Sequence, residues 1–186
     1  MSSTSYDLLI QKLNAFIDKY YKNLIIKGLL YLLLIGLSLF IVIAISEYFG
    51  HFTANIRAIL VLIYFAVIAF VLFRFIIIPL LSLLRVYKHI SLDDASKIIG
   101  NHFPEINDKL SNVLQLHRLE ELSKEQLNLI DAGIKQKINK LEPFPILSAI
   151  NFKSNLKYLK LLFIPLLIIV ITWLFQPAFI EEPATR

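Results

Sequence analysis

Cysteine is absent from this sequence of 186 residues. The chain therefore has no disulfide bond, no thiolate metal ligand and no cysteine nucleophile. Its five glycines are scattered singly, so it lacks the glycine-rich loop that cradles phosphate in nucleotide-binding proteins. These absences remove several classes of enzyme and metal protein from consideration.

Charged residues are also scarce. They make up 18% of the chain, against about 25% in soluble domains. Hydrophobic residues reach 57% and are concentrated in long runs, which is typical of an integral membrane protein. The net charge of +5 is explained by basic residues beside apolar spans, and no aromatic-basic motif predicts nucleic-acid binding. The expected partners are membrane lipid and other membrane or envelope proteins, and an oligomer is left open.

Three apolar runs, 28–45, 58–78 and 161–179, predict transmembrane helices. A helix needs about 20 apolar residues to cross the hydrocarbon core of a bilayer. We assign the spans to residues 25–48, 57–79 and 161–179, with a short periplasmic loop at 49–56 and a periplasmic tail at 180–186. Residues 1–21 are too polar for a secretory signal, so we expect the first span to remain as an anchor.

The basic residues favour one side of the membrane at each crossing. Lys27 precedes the first span, Arg85 follows the second, and Lys160 precedes the third, whereas the tail carries Glu181 and Glu182. The positive-inside rule then places the N-terminus in the cytoplasm and the C-terminus outside.

Two charged residues near the spans are candidate interaction residues, Arg74 and Glu47. A charge inside a membrane is by default a functional hypothesis. Arg74 lies only four residues before Ile78, so its long side chain can reach the headgroups, and we favour that interpretation. The alternative is that Arg74 and Glu47 face a neighbouring chain.

The N-terminal segment predicts an amphipathic helix over residues 6–24. Its apolar residues recur at helical spacing and are Leu9, Leu13, Phe16, Ile17, Tyr20 and Leu24. A basic amphipathic helix before a span can lie in the membrane interface. It can equally dock on the cytoplasmic loop of its own chain, and the sequence leaves both placements open.

Residues 80–160 predict a small cytoplasmic helical subdomain. Ser91 and Asp94 form a capping pair for a first helix that we expect to end at Gly100. A second helix follows Pro104, and a third begins at Ser123. The core or interface of the subdomain is expected to comprise Leu110, Val113, Leu114, Ile130, Ile134 and Ile138. The predicted fold class is thus an all-α membrane protein with three transmembrane helices, an N-terminal amphipathic helix and this subdomain.

No pattern of polar residues predicts a reaction. The four histidines, His51, His89, His102 and His117, never lie three or four residues apart, which is the spacing that puts two metal ligands on one helix face. Asp93 and Asp94 are explained by their place in the first turn of a helix. We therefore expect no catalytic, cofactor or metal site.

Two segments carry a resemblance to a known family. The stretch LDDASKIIGNHFPEINDKLSNVLQL, residues 92–116, resembles a segment of an uncharacterised family, a domain of unknown function, found in large bacterial membrane proteins. The opening YDLLIQKLNAFIDKYYKNLIIKG, residues 6–28, also looks like the start of that family. The resemblance implies a bacterial inner membrane and a long, partly coiled-coil periplasmic region after the third span. It implies no activity and no catalytic residues.

The function expected from these observations is that of a non-enzymatic membrane anchor or scaffold subunit of a larger bacterial envelope assembly. The alternative is a subunit of a transport or secretion complex. A lipid-acting membrane enzyme is the third and least favoured interpretation, because no constellation of residues supports it.

Overall fold

The computed structural model describes residues 3–87, 89–122, 136, 138 and 144–175. Its α-helices are α1 (Ser3–Gly50), α2 (Ala54–Leu72), α3 (Ile78–Leu83), α4 (Leu92–His102), α5 (Asn107–Leu122) and α6 (Leu156–Phe175). A π-helical segment, Phe73–Ile77, joins α2 to α3, and short 3-10 helices occupy Pro104–Ile106, Ile146–Ala149 and Phe152–Asn155. No strand occurs among the described residues.

The chain divides into two compact units. The first, which we call the helical subdomain, comprises Met1–Lys22 and Ser82–Asn151, and the second, the three-helix unit, comprises Asn23–Leu81 and Phe152–Arg186. Helix α1 belongs to both units, because it continues from Ser3 to Gly50 without a break. The amphipathic segment and the first span are therefore one helix, with no proline between them to end it.

Within the part of the chain that the structure describes, three helical stretches are long and apolar enough to cross a membrane: Tyr6–Gly50, Ala54–Leu83 and Ile146–Phe175. This finding confirms the prediction of an all-α protein with three candidate spans. The second stretch extends past Pro79 to Leu83. Residues 176–179 of the third predicted span lie outside the described residues.

The helical subdomain has a closed apolar core to which the N-terminal part of α1 contributes. Leu9, Leu13, Phe16, Ile17 and Tyr21 are all buried. Polar contacts fasten the same segment: the Lys19 ammonium donates to the Leu147 carbonyl at 2.6 Å, and the Ile90 amide donates to the Tyr21 hydroxyl at 3.0 Å. Of the two placements that the sequence left open, the structure shows docking on the loop of the same chain.

Helix α4 begins as the sequence predicted. The Asp94 amide donates to the Ser91 hydroxyl oxygen at 3.1 Å, and that hydroxyl donates to the Asp94 carboxylate at 2.7 Å. Its predicted end at Gly100 is wrong, since the helix continues to His102. Phe103 takes an extended φ of −123° because the ring of Pro104 disfavours the helical region for the residue before it. The proline, and not the glycine, ends the helix.

The second predicted helix of the subdomain is α5. Leu110, Val113 and Leu114 line its buried face and form part of the core. Most of the third predicted helix lies outside the described residues, and Ile130 and Ile134 with it. Ile138 is described, and it is helical and buried.

Candidate functional site

A proline shapes the second span near one of its ends. Pro79 has no amide hydrogen to donate to the Phe75 carbonyl four residues earlier, and its ring would clash with that carbonyl in a regular α-helix. The chain responds with the π-helical segment Phe73–Ile77, in which the Ile78 amide bonds to the Phe73 carbonyl. The Phe75 carbonyl is thus freed from a hydrogen bond to residue 79.

Gly28 of α1 lies against this freed carbonyl. A Cβ atom at Gly28 would stand 2.1 Å from the Phe75 oxygen and 2.8 Å from its carbonyl carbon. Only glycine fits so close an approach of two backbones, as in other small-residue contacts between membrane helices. The contact sets Lys27, the neighbour of Gly28, and Arg74, the neighbour of Phe75, at the same level of the three-helix unit.

A cluster of aromatic and basic side chains surrounds this contact, and we call it the lysine–tyrosine cluster: Lys27, Tyr31, Arg74, Phe75, Lys157 and Tyr158. The Tyr31 ring packs edge-on against Tyr158 of α6, with centroids 4.9 Å apart, and against Phe75, with centroids 5.5 Å apart. All three candidate spans therefore meet at Tyr31. Beside the cluster, the buried Asn155 amide donates to the Asn23 side-chain oxygen at 2.7 Å, which further joins the third span to α1.

Three cations lie around these rings. The Lys27 nitrogen is 5.5 Å from the Tyr31 centroid and 5.6 Å from the Tyr158 centroid. The Lys157 nitrogen is 4.9 Å from the Tyr158 centroid, and the Arg74 guanidinium carbon is 5.9 Å from the Phe75 centroid. Cation–π attraction holds such groups in place but leaves their charge uncompensated.

Acidic residues are scarce in the described part of the same unit. Residues 23–81 and 152–175 contain a single carboxylate, Glu47. Glu47 is engaged elsewhere, near the connection between α1 and α2, where its Oε1 atom lies 3.3 Å from the Arg57 Nε atom. The cations of the lysine–tyrosine cluster therefore have no carboxylate partner within the described part of the chain.

The Glu47–Arg57 pair fastens the turn between the first two spans. Glu47 is 6% exposed and its Oε2 atom is buried without a hydrogen-bond partner, whereas Arg57 also donates to the Phe52 carbonyl at 3.1 Å. The turn is tight, because His51 takes a positive φ of 42° and donates its amide to the Glu47 carbonyl. Glu47 thus binds within its own chain.

We expect Arg57→Gln to destabilise the protein more than Glu47→Gln does. Removing the arginine leaves a buried carboxylate without its counter-charge, which typically costs about 3 kcal/mol, less here because Arg57 is partly exposed. Removing the carboxylate leaves a cation that can reach solvent. Thermal unfolding in detergent of the two single variants and of the double variant measures this order. Equal losses in the two single variants would contradict it.

The three-helix unit also contains an apolar groove of about 260 Å³. Its lining residues come from α1 and α6 and are Phe40, Ile41, Ala44, Ile45, Phe49, Ile169 and Thr172. The Thr172 hydroxyl donates to the Ile168 carbonyl of its own helix, so it presents little polarity to the groove. The groove offers space to an apolar chain and no reacting group.

The interaction residues predicted from the sequence fall in separate places. Leu110, Val113, Leu114 and Ile138 lie in the core of the helical subdomain, and Glu47 pairs with Arg57. Arg74 is exposed on the outside of its helix, beside Phe75, which is the geometry expected of a side chain that reaches the headgroups. The sequence analysis named Lys27 only as a flanking basic residue, and it did not name Tyr31 or Tyr158. The sequence pattern that marks them is a tyrosine within one helical turn of a lysine, close to the start of an apolar run.

Two of the histidines, His89 and His102, make separate structural contacts. His89 binds the Ser82 carbonyl through Nδ1 at 2.8 Å and packs against Tyr21, and His102 packs against Phe103. Among the described residues, no three histidine, aspartate or glutamate side chains lie close enough together to hold a metal ion. The His89 Nε2 atom is buried without a hydrogen-bond partner, but no pair of further histidine or carboxylate side chains stands beside it among the described residues.

Comparison with known proteins gives no relative: no family model, curated protein or solved structure matches the chain. The resemblance to an uncharacterised bacterial membrane family stays a prediction.

Proposed function

We propose that the chain is a non-enzymatic membrane anchor and scaffold subunit of a larger bacterial envelope assembly. Its three spans would cross the inner membrane, with the N-terminus in the cytoplasm and the C-terminus in the periplasm. The observation that supports this proposal most is the buried Phe16. Phe16 sits in the core of the helical subdomain, and it belongs to α1, the same continuous helix that forms the first candidate span.

Two of the buried polar side chains, Ser96 and Asn155, make contacts that support a structural role. The Ser96 hydroxyl donates to the Asp93 carbonyl within α4, and Asn155 binds Asn23 between two helices. Each of these contacts holds an element in place. A subdomain whose core is closed in this way presents its outer surface to partner proteins.

The test is purification of the full chain through an N-terminal tag in mild detergent, followed by crosslinking and mass spectrometry. We expect companions in reproducible, stoichiometric amounts. Phe16→Ala should release them while the chain stays in the membrane fraction, because it opens the core of the subdomain and leaves the spans intact. Leu62→Ala, a truncation of a residue 70% exposed on α2, is the matched control and should keep them. A lone chain of 21.5 kDa would overturn the proposal.

The alternative, a subunit of a transport or secretion complex, makes a different prediction. It places Arg74 against a neighbouring chain, so Arg74→Leu would release the companions and Arg74→Lys would retain them. Glu47 gives this alternative no support, because Arg57 of the same chain already binds it.

A further inference from the structure

The lysine–tyrosine cluster holds more positive charge than its surroundings compensate. The Lys27 ammonium has three N–H donors, and the Tyr31 and Tyr158 rings beside it carry no negative charge to balance its positive charge. Lys157 and Arg74 add two more cations around the same group of rings. Like charges brought together at a helix junction repel one another unless an anion lies among them.

The cluster also offers hydroxyl donors of fixed position. The Tyr31 and Tyr158 rings are locked edge-on at 4.9 Å, and the Tyr31 phenol interacts with both Tyr158 and Lys27. Ammonium and phenol groups of α1 and α6 meet here, and the Arg74 guanidinium lies beside Phe75, whose ring packs on Tyr31. Such a set of donors suits a phosphate group, whose oxygens accept several charge-assisted hydrogen bonds. A single carboxylate would use only part of this set.

The cluster lies at the boundary of the apolar stretches. Lys27 directly precedes the apolar run 28–45, and Lys157 lies four residues before the run 161–179. The neighbouring Leu29 and Leu161 are about half exposed. A ligand held here would therefore have its phosphate among the cations and its apolar part along the exposed helix surface. Basic pockets between transmembrane helices bind the headgroups of anionic lipids in this way.

We propose that Lys27, Lys157 and Arg74, with Tyr31 and Tyr158, form a specific binding site for the phosphate group of an anionic phospholipid. This inference needs only the three-helix unit, so it stands or falls independently of the scaffold proposal.

The test uses the full chain in mild detergent, with phosphatidylglycerol, phosphatidylcholine of the same acyl chains, and inorganic phosphate as the three probes. Native mass spectrometry counts the retained lipids and thermal unfolding measures Tm. Phosphatidylglycerol should be retained and should raise Tm, and phosphatidylcholine should do neither. Inorganic phosphate should raise Tm much less, because it gains nothing from the apolar surface. An equal rise with inorganic phosphate would overturn a lipid in favour of free phosphate.

Variants separate a built site from diffuse positive charge. Lys27→Gln and Lys157→Gln should each weaken phosphatidylglycerol binding about tenfold, the effect of losing one charge-assisted contact. Lys160→Gln is the matched control: it removes the same charge from the same helix one turn away, outside the cluster, and should change binding by less than about twofold. Lys27→Arg should retain binding. If Lys160→Gln weakens binding as much as Lys157→Gln, the site does not exist as proposed.

Discussion

Gly28→Ala should destabilise the three-helix unit strongly, whereas Gly36→Ala should change its stability little. The added methyl group at Gly28 would stand 2.1 Å from a backbone oxygen, so the first two spans must separate locally. At Gly36 the nearest atom is the Cδ1 of Ile68 at 3.2 Å, the end of a side chain that can rotate away. We expect a loss of about 3 kcal/mol at Gly28 and well under about 1 kcal/mol at Gly36. Thermal unfolding in detergent compares the two.

A double variant tests the cause of this effect. In Pro79→Ala, residue 79 regains an amide hydrogen that can bond to the Phe75 carbonyl, which draws that carbonyl back into its own helix. The combined Gly28→Ala/Pro79→Ala variant should therefore lose less stability than the sum of the two single variants, by about 1 kcal/mol. Strict additivity would show that the alanine at position 28 meets something other than the freed carbonyl.

The same contact supplies a second readout. Separating the first two spans near Gly28 should also move Lys27 and Tyr31 away from Phe75, so Gly28→Ala should weaken phosphatidylglycerol binding together with stability. Gly36→Ala should affect neither. A destabilised Gly28 variant that still bound the lipid normally would show that the lysine–tyrosine cluster does not depend on this helix contact.

Local signals in the sequence predicted local structure well. The long apolar runs gave the three candidate spans, and Ser91 with Asp94 gave the start of α4, because both depend on residues that are neighbours in the chain. The end of α4 was predicted wrongly at Gly100, because that prediction used only the glycine itself. Its preference for helix ends is a weak tendency, and the steric effect of Pro104 on Phe103 outweighs it.

Features that depend on residues far apart in the chain could not be predicted. Pro79 suggested the end of a span, but the helix accommodates it through a π-helical segment, and what that segment contacts is decided by Gly28 in another helix. Tyr31 and Tyr158 become neighbours only when the first and third spans pack. The candidate site is therefore a product of tertiary packing, and its residue types alone are common at the ends of membrane helices.

The apolar face of the N-terminal segment shows the same limit. Its periodicity predicts that Leu13, Phe16 and Ile17 are buried, but periodicity does not say against what. A membrane surface and a protein core both satisfy an apolar stripe, and only the three-dimensional arrangement of the helical subdomain distinguishes them. The distinction matters for function, because a segment docked in the subdomain core is not available to bind lipid.

Phe16→Ala should unfold the helical subdomain while the three-helix unit stays folded. Phe16 is 1% exposed, and truncating a buried phenylalanine costs about 3–5 kcal/mol. A core of this small size has little stability to lose, so the subdomain should open. Hydrogen exchange in detergent should show faster exchange of the backbone amides of α4 and α5, with those of α2 unchanged.

The control for this prediction is Leu8→Ala, on the same helix but 45% exposed, which should leave exchange nearly unchanged. If α4 keeps its protection in Phe16→Ala, the N-terminal segment does not hold the subdomain together, and the fastening on which the scaffold proposal rests is lost. If α4 and α2 lose protection together, the two units unfold as one, and the subdomain cannot be released from its partners separately from the spans. Selective opening of α4 is the result that a docked N-terminal helix requires.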